Sequence, residues 1–237
     1  MRPFETLESV TTTEGRRLTL HHRDGDYFID LDGHELMSTR SPGSESELAT
    51  LACRGLARAA SCRVLIGGLG LGFTLRSALE LLPKTAEVVV AEVFPCIVEW
   101  HARYLGHLGV SVEDRRVRVY EGDVQELLGD STGTRYDAIM LDVDNGPDAT
   151  CLEANAGLYD DHGIALLEGS LTDRGVVAVW SAHPDPAFEK RLRRGGFKVR
   201  VETVRSQGRK GNRHTIFVAG KEAPRPIRSG SSGRGRR

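Results

Sequence analysis

The stretch VLIGGLGLGF (Val64–Phe73) carries four glycines, Gly67, Gly68, Gly70 and Gly72, at the end of an apolar run. Without Cβ atoms the backbone can pass close to a ligand and take positive φ without strain. The N–H groups that open a following helix add hydrogen-bond donors. Glu92 sits near the end of the next apolar run, VVVAEV. An acid there can accept hydrogen bonds from both ribose hydroxyls of an adenosine lying over the glycines. Asp123, in Glu121-Gly122-Asp123 after the run Val117–Tyr120, is placed to accept from an adenine amino group. Asp142 ends AIMLD and is followed by Val143-Asp144-Asn145-Gly146-Pro147. A carboxylate at that strand end can serve as a base or charge partner, or simply cap the next helix. A tight βα turn or a helix cap explains any one of these features. All four together describe a ligand edge.

Other residues have two readings each. Glu45 and Glu47 either touch an acceptor or form a solvated first helical turn, where acids favour the helix macrodipole. His183, in WSAHPDP, is an alternative base or a loop histidine with no role. Trp100 and Trp180 can stack on adenine, but Trp180 ends an apolar strand and reads more simply as core.

The elements that must position these groups alternate. LTLHHR (Leu18–Arg23) and YFIDLD (Tyr27–Asp32) flank Asp24-Gly25, a strong hairpin turn signal, and Asp32-Gly33 makes a second turn before His34–Met37. A helix is expected over Ser44–Ala60, capped by Ser44 or Ser46. Strand-like runs follow at Val64–Ile66, Val88–Ala91, Val117–Tyr120, Ala138–Leu141 and Val176–Trp180. Helix-length segments separate them, at about 72–82, 96–106, 123–129 and 160–172. Runs apolar on both faces, separated by helices, mean an α/β protein with a covered parallel sheet. Phe197–Val204 and His214–Ala219 read as two late strands joined by a long mobile loop. The expected organisation is a β-hairpin element over 1–43, a nucleoside-binding domain over 44–222 and a disordered basic tail over 223–237.

Composition removes whole classes. Net charge is −1 and charged residues make up 27%, so the overall field does not steer the chain to nucleic acid, which is not an expected partner. The tail is basic enough to touch RNA or an anionic surface, but a solvated tail is the simpler reading. No apolar run approaches the roughly 18 residues of a spanning helix, so no membrane partner is expected. MRPFETLESV carries an early acid and does not read as a secretory signal. Four scattered cysteines without CxxC spacing suit a reducing cytoplasm and a protein without a metal site.

The order LDG (Leu31–Gly33), VLIGGLGLG, Glu92, Gly122-Asp123, YDAIMLDVDNGP (Tyr136–Pro147) and LYDDHGIALLEGSLTDRGVVAV resembles the spermidine synthase (polyamine aminopropyltransferase) family over roughly residues 20–180. The resemblance implies a class I S-adenosylmethionine-dependent methyltransferase-like, Rossmann-like sheet with a terminal antiparallel strand and a small N-terminal β element. It implies S-adenosylmethionine or its decarboxylated form as co-substrate, a small-molecule amine acceptor and a homodimer. It places Gly67, Gly68, Gly70, Gly72, Glu92, Asp123 and Asp142 on the nucleoside, Asp142 and Asp144 at the reacting centre, and Asp144, Asn145, Tyr159 and Glu47 on the acceptor.

The chain also departs from the family. Leu71 stands where the family has an aspartate that holds the donor's aminopropyl ammonium. Ser41-Pro42 replace an Asp-Glu pair, Glu45 replaces a tyrosine, and the loop after Asp142 is two residues shorter. The nucleoside half of the site is therefore kept and the amine half is rebuilt. Three readings stay open: an aminopropyltransferase-like enzyme, an S-adenosylmethionine-dependent methyltransferase of a small molecule, and a non-catalytic nucleoside-binding protein. An NAD-type Rossmann arrangement is the remaining alternative for the fold, with the two late strands favouring the methyltransferase-like one.

Overall fold

A computed structural model describes residues 3–109, 112–129, 133–143, 146–147, 155–207 and 210–222. Asp144, Asn145 and the tail from residue 223 lie outside the described residues.

The chain opens with an antiparallel meander of β1 (Glu5–Thr11), β2 (Arg17–Arg23), β3 (Asp26–Leu31) and β4 (His34–Ser38). Both expected turns are present as two-residue connections. Asp24 and Gly25 have φ of 54° and 91°, and Asp32 and Gly33 have 54° and 84°. Paired positive φ is what a type I′ hairpin requires, and Asp-Gly supplies it at low cost. Strand β1 is missing from the sequence reading because ETLESVT is an edge strand without a buried position, so it shows no apolar alternation.

Helix α1 (Gly43–Cys53) follows and ends in a single 3₁₀ turn, Arg54–Leu56. It is shorter than Ser44–Ala60, and neither serine caps it. Pro42 holds the N-cap position without a side-chain bond, the Ser44 hydroxyl goes to Glu45, and Ser46 accepts from the Ser77 hydroxyl of the next helix. A neighbouring carboxylate claims one of the hydroxyls that the local pattern assigns to the cap, and a tertiary contact claims the other.

The main sheet has seven strands in the order β10 (Lys198–Gln207), β11 (Lys210–Gly220), β9 (Leu171–Ser181), β8 (Tyr136–Leu141), β5 (Arg63–Gly67), β6 (Glu87–Glu92) and β7 (Val117–Glu121). The five strands from β9 to β7 are parallel, and β11 runs antiparallel between β9 and β10. This is the methyltransferase-like arrangement. The helices are α2 (Phe73–Leu81), α3 (Pro95–Trp100, continued by a π-type turn His101–Leu105), α4 (Val124–Leu128), α5 (Ala156–Tyr159), α6 (Asp161–Ser170) and α7 (Pro186–Arg194).

Alternation along the strands divides the core. Val64, Ile66, Ala138, Met140, Ala178 and Ile216 face one side, packed with α1, α2 and the buried N-terminal residues Leu18, Leu20, Ile29 and Leu31. Leu65, Ile139, Leu141, Val177, Val179 and Phe217 face the other, against α4, α6 and α7. The N-terminal meander therefore closes over the same core as the sheet. Two late elements differ from expectation. Strand β9 begins at Leu171, where α6 was expected to continue. The stretch read as a mobile loop is paired almost to its tip: Arg205 faces Arg213, Gln207 faces Lys210, and Ser206 Oγ accepts from the Asn212 N–H at 3.1 Å.

Strand β5 hydrogen-bonds to β6 on one side and β8 on the other, so chain order reverses at its carboxyl end. A crevice at such a switch point is the general ligand position in open α/β sheets. The opposite face rests on Phe188, which is fully buried with edge-on rings of Tyr159 at 5.7 Å and Phe217 at 5.2 Å. Phe188→Ala is expected to lower the free energy of unfolding by about 3–5 kcal/mol, measured by urea denaturation.

Candidate functional site

A cavity of about 370 Å³ opens at the switch point between the carboxyl edge of the sheet and the N-terminal meander. The glycine turn, the end of β6 and the start of α4 line it through Gly68, Gly70, Glu92, Phe94, Gly122 and Asp123. The start of α1, the end of β8, and the β9 and β10–β11 edges line it through Glu45, Asp142, Trp180, Ser206, Asn212 and His214.

The glycines answer to two different needs. Gly68 has φ of 89°, and a Cβ there would lie 2.3 Å from the carbonyl oxygen of Asp142, so this glycine lets β5 and β8 converge whether or not a ligand is bound. A Cβ on Gly70 would instead strike the Met37 side chain, which reaches down from β4 onto the turn. Met37 Sδ accepts the Leu71 N–H at 3.0 Å, and Leu71 itself is fully buried. Gly72 starts α2 in the left-handed region, and Gly67 ends β5; neither borders the cavity.

Glu92 is 4% exposed and borders the cavity. Its Oε2 accepts from the Leu69 N–H at 2.9 Å and the Gly70 N–H at 3.4 Å, and its Oε1 accepts from the Phe94 N–H at 2.9 Å. Burial pushes its pKa above the usual carboxylate range, and these backbone donors oppose that rise. The residue expected on a ribose is thus also the clamp that holds the glycine turn in shape. Asp123 borders the cavity and caps α4, accepting from the Gln125 N–H at 2.8 Å and Gln125 Nε2 at 3.1 Å.

Asp142 and Glu45 both line the cavity, near enough for the charge of one to act on the other. Glu45, on the first turn of α1, is only 9% exposed and takes the Ser44 hydroxyl at 2.6 Å. Asp142 takes the Thr74 hydroxyl of α2 at 2.8 Å. Desolvation, reinforced by the negative charge of Glu45, pushes Asp142 up to about 7 against the Thr74 hydrogen bond. Burial raises Glu45 as well. The solvated-turn reading of Glu45 is therefore corrected. Glu45 falls on the stripe of Leu48, Ala49 and Ala52, all buried, and that i+3, i+4, i+7 spacing is the signal in the sequence that marks it as inward.

Not every expected residue reaches the cavity. Glu47 is exposed on the outer side of α1 and does not border it. Tyr159 is 3% exposed in the opposite core layer, with its carbonyl taken by Arg191 at 2.6 Å, and it does not border the cavity. Asp144 and Asn145 lie outside the described residues. Trp100 is core, fully buried, whereas Trp180 is not simply core: it borders the cavity, edge-on to His214 at 4.8 Å. Sequence reading missed Met37, Glu35, His214, Ser206 and Asn212, all brought in by strands distant in sequence from the glycine turn.

The sign of the cavity is uniform. Glu35, Glu45, Glu92, Asp123 and Asp142 border it, and among the described residues no lysine or arginine does. His214 is held toward its neutral form by burial and by His183. Among the described residues no group of three or more His, Cys, Asp or Glu is arranged to hold a metal ion, and no helix is long and apolar enough to cross a membrane.

The sequence matches no protein-family model, and no curated protein matches it. The fold does have close counterparts among solved structures. The chain is similar to the crystal structure of spermidine synthase from Thermotoga maritima, with a TM-score of 0.70 and 18% sequence identity over 92% of this chain and 72% of that one. A spermidine synthase solved in complex with the transition state analogue AdoDATO is similar to the same extent, again at 0.70 and 18%, covering 92% of this chain and 72% of that chain. At this identity the likeness establishes the fold, and the cavity's own chemistry must speak for the reaction.

Proposed function

We propose that this protein is a transferase that moves an aminopropyl group from decarboxylated S-adenosylmethionine to a small amine. The observation that carries the reading is the cavity's charge: five carboxyl groups and, among the described residues, no lysine or arginine on its wall. Such a cavity suits a cationic sulfonium donor and a cationic amine acceptor. It has nothing on the described wall to pair the amino-acid carboxylate of intact S-adenosylmethionine. The spermidine synthase neighbours, one of them bound to AdoDATO, support the same chemistry.

In this reading Glu92 accepts from the ribose hydroxyls while bracing the glycine turn, and Asp123 faces the adenine edge. Asp142, near neutrality in its pKa, attracts the acceptor ammonium and receives its proton. A sulfonium is an activated leaving group, so alignment and one proton transfer are most of what the protein must supply. Asp144 and Asn145 are proposed to orient the acceptor from the loop after Asp142, and Tyr159 and Glu47 drop out of that role. The homodimer and the cytoplasmic location belong to the same proposal. One observation favours a second reading, methyl transfer from intact S-adenosylmethionine: the glycine turn's own residues supply no acid for an aminopropyl ammonium, Leu71 being buried with its N–H taken by Met37.

Calorimetry decides between them. Decarboxylated S-adenosylmethionine is expected to bind about tenfold or more tightly than the intact form. The reverse order would favour methyl transfer, and binding of neither would favour a non-catalytic protein on this fold. In the transfer assay, Asp142→Asn should keep donor binding and lose release of the thioether product. Glu92→Ala should weaken donor binding by roughly 1–3 kcal/mol, the cost of a lost hydrogen-bonded acid, with Glu92→Gln intermediate.

A further inference from the structure

Glu45 and Asp142 belong to elements far apart in sequence, yet both border the cavity and their charges interact. Each takes one hydroxyl: Ser44 at 2.6 Å for Glu45 and Thr74 at 2.8 Å for Asp142. The helices that carry Glu45 and Thr74 are tied together beside them by the Ser77–Ser46 hydrogen bond at 3.0 Å. Two carboxyl groups held in a largely desolvated recess repel one another, and their charged forms need either a shared proton or a cation. Among the described residues, the other titratable groups on the wall are Glu35 from β4, Glu92 from β6, Asp123 before α4 and His214 from β11, while α2 offers only the uncharged Thr74. None of these brings a resident cation to the pair.

We infer that Glu45 is a second acceptor-binding carboxylate, which with Asp142 clasps the primary ammonium of an amine between the start of α1 and the end of β8. The inference rests on the transfer reading above and adds to it a residue and a binding geometry. An ammonium has three N–H donors. Glu45 and Asp142 hold two directions, and the pair takes one proton, freeing the nitrogen lone pair. The lone pair forms the N–C bond to the propyl carbon attached to the sulfonium, and the C–S bonding pair moves onto sulfur. The donor leaves as a neutral thioether, and the product is a secondary ammonium that carries the positive charge. Glu45 thus fixes the amine so that Asp142 can act on it.

The test is calorimetric titration of n-butylamine into protein saturated with 5′-methylthioadenosine, the thioether that transfer would leave, between about pH 6 and 8. Wild-type affinity is expected to rise with pH as the pair loses its shared proton. Glu45→Gln should weaken binding about tenfold or more. It should also move the midpoint of that rise to lower pH, because the charge that raises Asp142 is gone. If Glu45 acts only through its charge on Asp142, the midpoint moves but the affinity at about pH 8 stays at the wild-type value, and that result overturns the inference. A folded Glu45→Gln protein with wild-type affinity and midpoint overturns the inference. As a second measurement on the unaltered protein, the ¹³C carboxyl signals of Glu45 and Asp142 should both shift when n-butylamine is added, and a shift confined to Asp142 overturns it too. Methylthioadenosine that fails to bind counts against the transfer reading alone, since the carboxyl titration with n-butylamine needs no nucleoside.

Discussion

The carboxylate of Glu92 ties the glycine turn to the sheet. By accepting N–H groups from Leu69, Gly70 and Phe94, it satisfies backbone donors that a buried turn would otherwise leave unpaired. An unpaired buried donor costs about 1–3 kcal/mol, so the turn's shape depends on this acid before any ligand arrives. The same side chain borders the cavity, which means that the fold and the proposed nucleoside site share one group. His101 adds a second tie from the far side, its Nε2 lying 2.8 Å from the Gly70 carbonyl oxygen.

Convergence of β5 and β8 supplies the rest of the floor. Gly68 permits the approach, and Asp142 emerges where the two strands part. Once there, Asp142 faces an environment that penalises its charge, and α1 brings Glu45 beside it rather than a cation. Carboxyl groups gathered this way are poor contributors to stability. A cationic ligand would relieve the desolvation and the mutual repulsion together.

The roof has its own logic. Met37 descends from the N-terminal meander onto the glycine turn, and the β10–β11 hairpin leans across the start of α1. A Cβ on Gly43 would lie 2.6 Å from the Ser206 carbonyl oxygen, so the hairpin and α1 approach as closely as backbones allow. Gln207 Nε2 bonds the Arg40 carbonyl at 3.1 Å and Ser41 Oγ at 3.2 Å, fastening the hairpin to the segment before α1. The side of the cavity near Glu45 is thereby enclosed by segments from both halves of the chain.

Much of this was legible in the amino-acid sequence. Apolar runs separated by helices specify a covered parallel sheet, Asp-Gly turns specify the hairpins, and glycines or acids at successive strand ends specify a ligand edge. These are local signals, and periodicity and turn chemistry report them directly. Long-range pairing decided what they could not report. The hairpin tip, polar enough to read as a loop, is strand because β10 and β11 stay paired out to Gln207 and Lys210, beyond Thr215 where the pairing with β9 begins. Glu47, Glu45 and Tyr159 were sorted by the rotation of α1 and the packing of α5 against α7, which put Glu45 in the cavity and the other two outside it. Which carboxylates face one another is a property of folded space, set by contacts between residues dozens of positions apart, and only the tertiary structure could bring Glu45 to Asp142.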